Sequence, residues 1–368
     1  MSFESGSIGV RAYFQPKDWP EDALERFARQ AAPPLKLLGT HEIHGWVGGR
    51  HLLDVPIDED SGRYGGYLRL TLMQAERRVP PALFRAECMM EELAWMRAEE
   101  KAFVDRETRR RIRKMVMDRL LPTMPPTLRG IPMILDENER MIYTGALSDS
   151  QHDAFVAGVR GALGVSLVPV AFETLVAARI RANVRNWGPV SFTPETPDAE
   201  GGVTPAEDFL TWLWFAIESD GGVFDVPGEG TVGVALDGPL LFTVEGEKAA
   251  QEAVLRHGAP LSSAEAQTAL LGGKKLRRAR LTLSATPRTW TATFDAAQFV
   301  FRGLKVTEPE ERQDAVSLFQ NRMSELGAFY RVIGGLVARF ARLRTDAGEW
   351  PKTRARIHAW TSKRVGRR

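Results

Sequence analysis

Residues 79–133 set the strongest limit on how this 368-residue chain can fold. The stretch enters through Arg77-Arg78-Val79-Pro80-Pro81 and runs through Met89-Met90-Glu91-Glu92-Leu93 to Arg109-Arg110-Arg111-Ile112-Arg113-Lys114. It closes at Leu120-Leu121-Pro122 and leads into the apolar run Ile131-Pro132-Met133-Ile134-Leu135. Paired prolines suit a helix start, because the first helical residue has no use for an amide proton. Pro122 stops the segment, since it lacks a donor and restricts the residue before it. The pattern predicts one long charged helix over residues 80–121.

At about 100° per residue, Arg106, Arg109, Arg110 and Arg113 share one face of that helix, with Lys114 at its edge. Val104, Thr108, Ile112 and Met115 fall opposite and are expected to pack inward. A helix anchored on one side with guanidiniums on the other suits a phosphate backbone. The plainer alternative is a solvated face with local ion pairs: Asp105 to Arg109, Glu107 to Arg110 or Arg111, Lys114 to Asp118. Arg106 and Arg113 have no local partner at those spacings.

Net charge is only +2, so the chain is no polycation, but its charges are segregated. Residues 195–229 hold nine acids and no Lys or Arg, whereas residues 270–306 hold eight bases against Asp295 alone. Residues 350–368 add seven bases and no acid. A near-neutral chain can still present a strongly positive surface when the signs separate in this way. Cys88 is the sole cysteine, which excludes an intrachain disulfide and suits a reducing cytoplasm. The first residues lack a basic and apolar leader, and no apolar run is long enough to cross a bilayer, so no membrane partner is expected.

Alternating and helical periodicities lay out the rest. Strands are expected at 8–14, 44–47 and 67–73, a helix at 20–32, and a Gly- and Asp-rich loop at 48–66. A hairpin pairs 133–135 with 141–145, followed by a Ser148-capped helix at 148–163 and a strand at 166–172. Residues 193–205 read as a linker. Beyond it come an apolar helix at 208–218, strands at 232–235 and 240–244 joined by Asp237-Gly238-Pro239, and a helix at 262–271. Strands at 276–282, 290–294 and 299–306 precede a long helix at 310–343. The expected fold class is α+β, multidomain, mainly antiparallel sheets with long flanking helices. The expected division is an N-terminal region 1–192, a C-terminal region 206–345 and a basic tail 346–368.

Catalytic signals are weak. His41, His44 and His51 lie close in sequence, yet no neighbouring Cys, Asp or Glu completes a metal-ligand spacing, and a surface loop is the better reading. No Gly-x-Ser-x-Gly elbow or His-Glu-x-x-His helix occurs. Gly272-Gly273-Lys274-Lys275 lacks the upstream Gly and the trailing Ser or Thr of a phosphate loop. Trp212 and Trp214 sit among Leu210, Leu213 and Ile217, which favours a buried helix over base stacking. The residues make no case for an enzyme or a cofactor. The second basic cluster, Lys274, Lys275, Arg277, Arg278 and Arg280, starts a strand. Strict alternation there puts Lys274, Arg278 and Arg280 on one side and Lys275 and Arg277 on the other.

The helix, its Leu120-Leu121-Pro122 stop and the following hairpin together resemble the recombination-associated protein RdgC family. The likeness begins at Gly45-Trp46-Val47, resumes at residues 70–81, continues through 133–163 and Leu167-Val168-Pro169-Val170, and returns at 262–283 and 304–343. The order of elements carries it, with no single diagnostic motif. The resemblance implies a non-enzymatic protein that binds double-stranded DNA without marked sequence preference and restrains RecA-promoted recombination. It implies a homodimeric ring with a basic interior, associated with the nucleoid, with single strands as a further ligand. Arg106, Arg109, Arg110, Arg113 and Lys114 would then line the channel, with Lys274, Lys275, Arg277 and Arg278 as the next candidates. Where the family carries a basic residue and an aromatic after its Leu-Leu-Pro, this chain has Thr123 and Pro125. The competing reading from charge alone is a protein-interaction or scaffold module whose basic faces meet an acidic protein. On that reading, segment 195–229 is an internal partner for one basic face.

Overall fold

Ile8, Val10 and Ala12 alternate with Arg11 and Tyr13, and in the computed structural model all five are buried. The first strand is therefore interior on both faces rather than half-buried, and the architecture follows from what covers each side. Residues 3–244, 252–258, 260–307 and 313–363 are described. The strands are β1 (Ile8–Phe14), β2 (Ile43–Gly48), β3 (Arg63–Tyr64), β4 (Tyr67–Arg77), β5 (Pro126–Asp136), β6 (Met141–Thr144), β7 (Val168–Pro169), β8 (Val223–Val226), β9 (Gly230–Thr243), β10 (Glu252–Leu255), β11 (Lys275–Ala285), β12 (Arg288–Asp295) and β13 (Val300–Lys305). The helices are α1 (Ala23–Arg29), α2 (Glu59–Gly62), α3 (Pro81–Ala98), α4 (Arg106–Leu120), α5 (Asp149–Leu163), α6 (Phe172–Ile180), α7 (Pro205–Asp220), α8 (Ala264–Leu271), α9 (Ala315–Thr345) and α10 (Glu349–Lys363).

All these strands join one sheet, ordered β10-β9-β11-β12-β13-β1-β6-β5-β4-β2, with β3, β7 and β8 pairing at its sides. Every strand pair is antiparallel, which fits the α+β expectation. β1 is the hinge of the order: it pairs β13 at Ile8↔Leu304 and β6 at Tyr13↔Ile142. The regions 1–192 and 206–345 thus share a single sheet.

One face packs a core in which Ile8, Val10 and Ala12 meet Phe172, Leu175, Trp212, Phe329 and Phe340 from α6, α7 and α9. On the other face, Tyr13, Leu70, Met133 and Ile142 pack beneath Phe27 of α1 and Phe155 and Val159 of α5. Ser148 caps α5 as expected, its hydroxyl accepting from Gln151 N–H while the Gln151 side chain accepts from Ser148 N–H. At 31 residues α9 spans about 46 Å, enough to serve both regions. Phe319 near its start meets Tyr64 and Tyr67, and Phe340 near its end meets Phe172 and Trp212. The expected start of this helix at residue 310 lies outside the described residues.

Three expected elements differ. The strand over 166–172 shrinks to β7, because Thr174 Oγ1 accepts from Ala171 N–H at 2.8 Å and starts α6 at Phe172. The strands at 232–235 and 240–244 are one strand, β9. Pro239 falls where pairing with β11 skips between Asp237↔Arg280 and Leu241↔Arg278, so its missing N–H costs that ladder no bond. The expected basic tail 346–368 is helical over its first part. α10 buries Trp350 and Ile357 in the main core.

Candidate nucleic-acid interface

The single helix expected over 80–121 is a hairpin of two helices, α3 and α4. Glu100 breaks it by taking a left-handed φ of 49°. Glu99 N–H donates to Trp95 O, and Lys101 N–H reaches back to Met96 O at 3.0 Å, closing the turn as a Schellman motif does. Asp105 then restarts the chain as a helix: its Oδ1 accepts from Glu107 N–H and Thr108 N–H at 3.0 and 2.9 Å. That role takes Asp105 away from Arg109, its expected partner. These cap bonds hold the Asp105 carboxyl below its ordinary range.

Between the two helices lies a small core of its own. Val104, Ile112 and Val116 pack against Cys88, with Phe84, Trp95, Met96 and Leu120 half-buried around them. Thr108 is buried on this face as expected, but Met115 is 46% exposed and belongs to the surface. Burial pushes the Cys88 thiol up, which suits a small core residue rather than a nucleophile.

The outward side of α4 is where charge remains unpaired. Arg109 bridges Glu92 of α3 at 3.2 Å, and Arg119 bridges Glu87 at 2.8 Å and Glu91 at 2.7 Å. These pairs sit on the flanks and lace α4 to α3. Arg106, Arg110, Arg111, Arg113 and Lys114 are exposed. Among the described residues, none of those five has a carboxylate within 4 Å. Arg106, Arg110 and Arg113 follow one another at helical spacing, with Lys114 beside them, and present an uninterrupted row of donors. A phosphate backbone needs that arrangement: mobile cations at repeated intervals that give up counterions rather than internal partners.

The second cluster behaves differently. Lys275 is buried, and its ammonium lies 2.5 Å from Asp208 Oδ1 and 2.9 Å from Thr204 Oγ1. It is a correction to the DNA-facing set: a side chain 5% exposed and committed to a buried carboxylate cannot meet phosphate. β11 is bulged at its start, so the expected alternation fails there. Arg277 and Arg278 consequently converge on one group, the buried carboxylate of Asp295, at 3.5 and 2.5 Å. Lys274 is half-buried and Arg280 exposed. Two further basic residues outside the Lys274–Arg280 run lie nearby. Arg302 of β13 joins the Arg280 row through Thr293, which pairs with both. Arg256 lines a groove with Arg277, Arg278 and Val254. Strand pairing sets Arg302 beside Arg280, which its place in the basic stretch 270–306 does not by itself indicate.

The acidic stretch does act as an internal partner. Asp208 holds Lys275, Asp220 holds Arg356 of α10 at 2.5 Å, Glu229 holds Arg331 at 2.5 Å, and Asp198 pairs with Arg354. Part of the tail charge is therefore neutralised. Residues 364–368 lie outside the described residues. Among the described residues, no group of three or more His, Cys, Asp and Glu side chains is placed to hold a metal, His41, His44 and His51 included. No helix of the described residues is long and apolar enough to cross a membrane.

Residues 27–186 match the model of the family described as "RdgC: Putative exonuclease, RdgC". The matched region contains the whole α3–α4 hairpin and ends before β11. No curated protein matches the chain.

Proposed function

We propose, from the match of residues 27–186 to the RdgC family model, that this chain binds double-stranded DNA through the outward face of α4. The family supports a recombination-related DNA-binding role. One observation carries the finer reading: Arg106, Arg110, Arg113 and Lys114 form an exposed cationic row with no carboxylate of the described residues within 4 Å, inside the matched region. Such a row supplies affinity by counterion release and is indifferent to base sequence, since phosphate contacts carry no sequence information.

Two copies would clamp or encircle the duplex and so obstruct RecA-promoted strand exchange by occupying it, with single strands as a further ligand. The α3 surface supports pairing of copies. Met89, Met90 and Leu93 are 67%, 60% and 46% exposed there, an apolar face that one chain leaves uncovered. The action is non-catalytic, since occupancy alone suffices to block a filament. The family's description names an exonuclease, so end-labelled duplex incubated with magnesium separates the readings: shortened product would replace the blocking role with cleavage.

The deciding experiment is fluorescence anisotropy on a duplex across a salt series. Arg106, Arg110 and Arg113 changed together to Ala should weaken binding to all sequences alike. The change should also reduce the salt slope by about 0.9 log units per lost contact. Unchanged affinity and slope would remove α4 as the DNA surface. Retention on circular DNA under conditions that release linear DNA would support a closed ring, and equal release would argue for an open clamp.

A further inference from the structure

A cleft of about 380 Å³ lies between the end of β1, the β5–β6 turn, α6 and α9, apart from every basic residue assigned above. It falls near the lower end of the range for small-molecule sites, roughly 300–1,000 Å³. Phe14, Val170 and Leu175 give it apolar walls. Two tyrosines line it: Tyr143 is fully buried and Tyr330 is 5% exposed, with ring centroids 5.6 Å apart. Among the described residues, neither hydroxyl has a hydrogen-bond partner. Burial pushes both phenols far up, so each stays protonated and offers a donor. Buried hydroxyls are nearly always satisfied, and these two belong to tyrosines that line one cleft.

The rim has one sign of free charge. Lys17, Arg140 and Arg179 are exposed and line the cleft, and among the described residues none has a carboxylate within 4 Å. The carboxylate on the wall, Glu139, is paired with Arg331, which Glu229 also holds at 2.5 Å. A cation would find no free acid here. Inorganic phosphate would leave the apolar walls and inner hydroxyls unmet.

We infer that this cleft binds a small organic anion with a ring-sized apolar body. Lys17, Arg140 and Arg179 hold its carboxylate or phosphate, and the Tyr143 and Tyr330 hydroxyls donate to an acceptor at its inner end. The site is independent of the DNA-binding reading, because it uses none of the α4 or β11 cations.

The test is calorimetric titration of the full chain with 1-naphthoate, 1-naphthyl phosphate, uncharged 1-naphthalenemethanol and inorganic phosphate. One saturable site per chain is expected for the first two, and the tighter of them identifies the preferred head group. The alcohol and inorganic phosphate should bind at least about tenfold more weakly. Changing Lys17, Arg140 and Arg179 together to Ala should weaken the aromatic anions by about tenfold or more. Tyr143→Phe and Tyr330→Phe should each weaken them about three- to tenfold with no fall in melting temperature, because neither hydroxyl has a protein partner to lose. No saturable binding up to about 10 mM would overturn the inference. So would binding that the rim and tyrosine variants leave unchanged, or equal binding of the alcohol. Competition by duplex DNA would also count against it, by placing the rim within the DNA surface.

Discussion

On α4, Arg106, Arg110 and Arg113 stand clear of every carboxylate among the described residues, while at the start of β11, Lys275, Arg277 and Arg278 are all held by buried acids. The two clusters look alike as strings of Lys and Arg. What separates them is the source of their neighbours. The acids beside α4 come from α3 alone, and Glu87, Glu91 and Glu92 reach only the flanking Arg109 and Arg119. The acids beside β11 come from α7 and β12, and they lie at the bottom of the packed layer. A cationic run becomes available to a ligand when its own hairpin is its only neighbour. It becomes structural when sheet and helix close over it.

The largest test of this contrast is Lys275→Ala. It strands the Asp208 carboxylate in the core and should cost about 3–5 kcal/mol, read as a lower urea midpoint, with DNA affinity per folded molecule unchanged. A Lys275→Met, Asp208→Leu double variant should restore most of the loss, as paired buried charges replaced by apolar groups usually do. A loss under about 1 kcal/mol would mean that β11's lysine is not structural and would erase the distinction. Next comes conversion of the flank into free charge. Glu87, Glu91 and Glu92 changed to Gln would release Arg109 and Arg119, and the salt slope of DNA binding should steepen by about 0.9 per cation that joins the interface. An unchanged slope would confine the DNA surface to the outward row.

A smaller effect concerns pH. Burial pushes the Glu207 carboxyl at the start of α7 up to about 7, against an ordinary value of 4.5. Between those values the folded protein holds a proton that the unfolded chain releases. Stability from this group is therefore full at acidic pH and falls as pH rises through 7. Glu207→Gln should raise the melting temperature at pH 8 and leave it near wild type at pH 5. A variant that gains nothing at pH 8 would show that the carboxylate is solvated. The smallest expected effect is Glu100→Gly at the left-handed turn of the hairpin, a gain of a few tenths to about 1 kcal/mol in thermal melts. A net loss would assign the Glu100 side chain a contact of its own.

Much of the molecule could be read from residue order alone, and the failures have local causes. Ser148 and Gln151 announce α5 because both halves of the capping box lie within one turn. The hairpin break was hidden because Glu100 occupies the left-handed position that Gly usually marks, and because Asp105 passes for an ion-pair partner of Arg109. The outward row on α4 survived folding since its periodicity is helical with or without the break. The β11 cluster did not, because a bulge and two acids distant in sequence decide where its side chains go. Helix faces are written in spacing, whereas strand neighbours are chosen by pairing.

The place of β1 at the centre of the sheet also governs how the chain is made. Its edge towards β13 pairs at Ile8↔Leu304 and Val10↔Phe301, so nearly the whole polypeptide must emerge before that seam can close. At about 5–20 residues per second, some 300 residues of synthesis leave the edge open for about 15–60 s, a ready template for wrong pairing. A nascent or truncated chain lacking β13 should therefore depend on chaperones and aggregate through β1, even though residues 27–186 already contain everything needed to build the cationic hairpin.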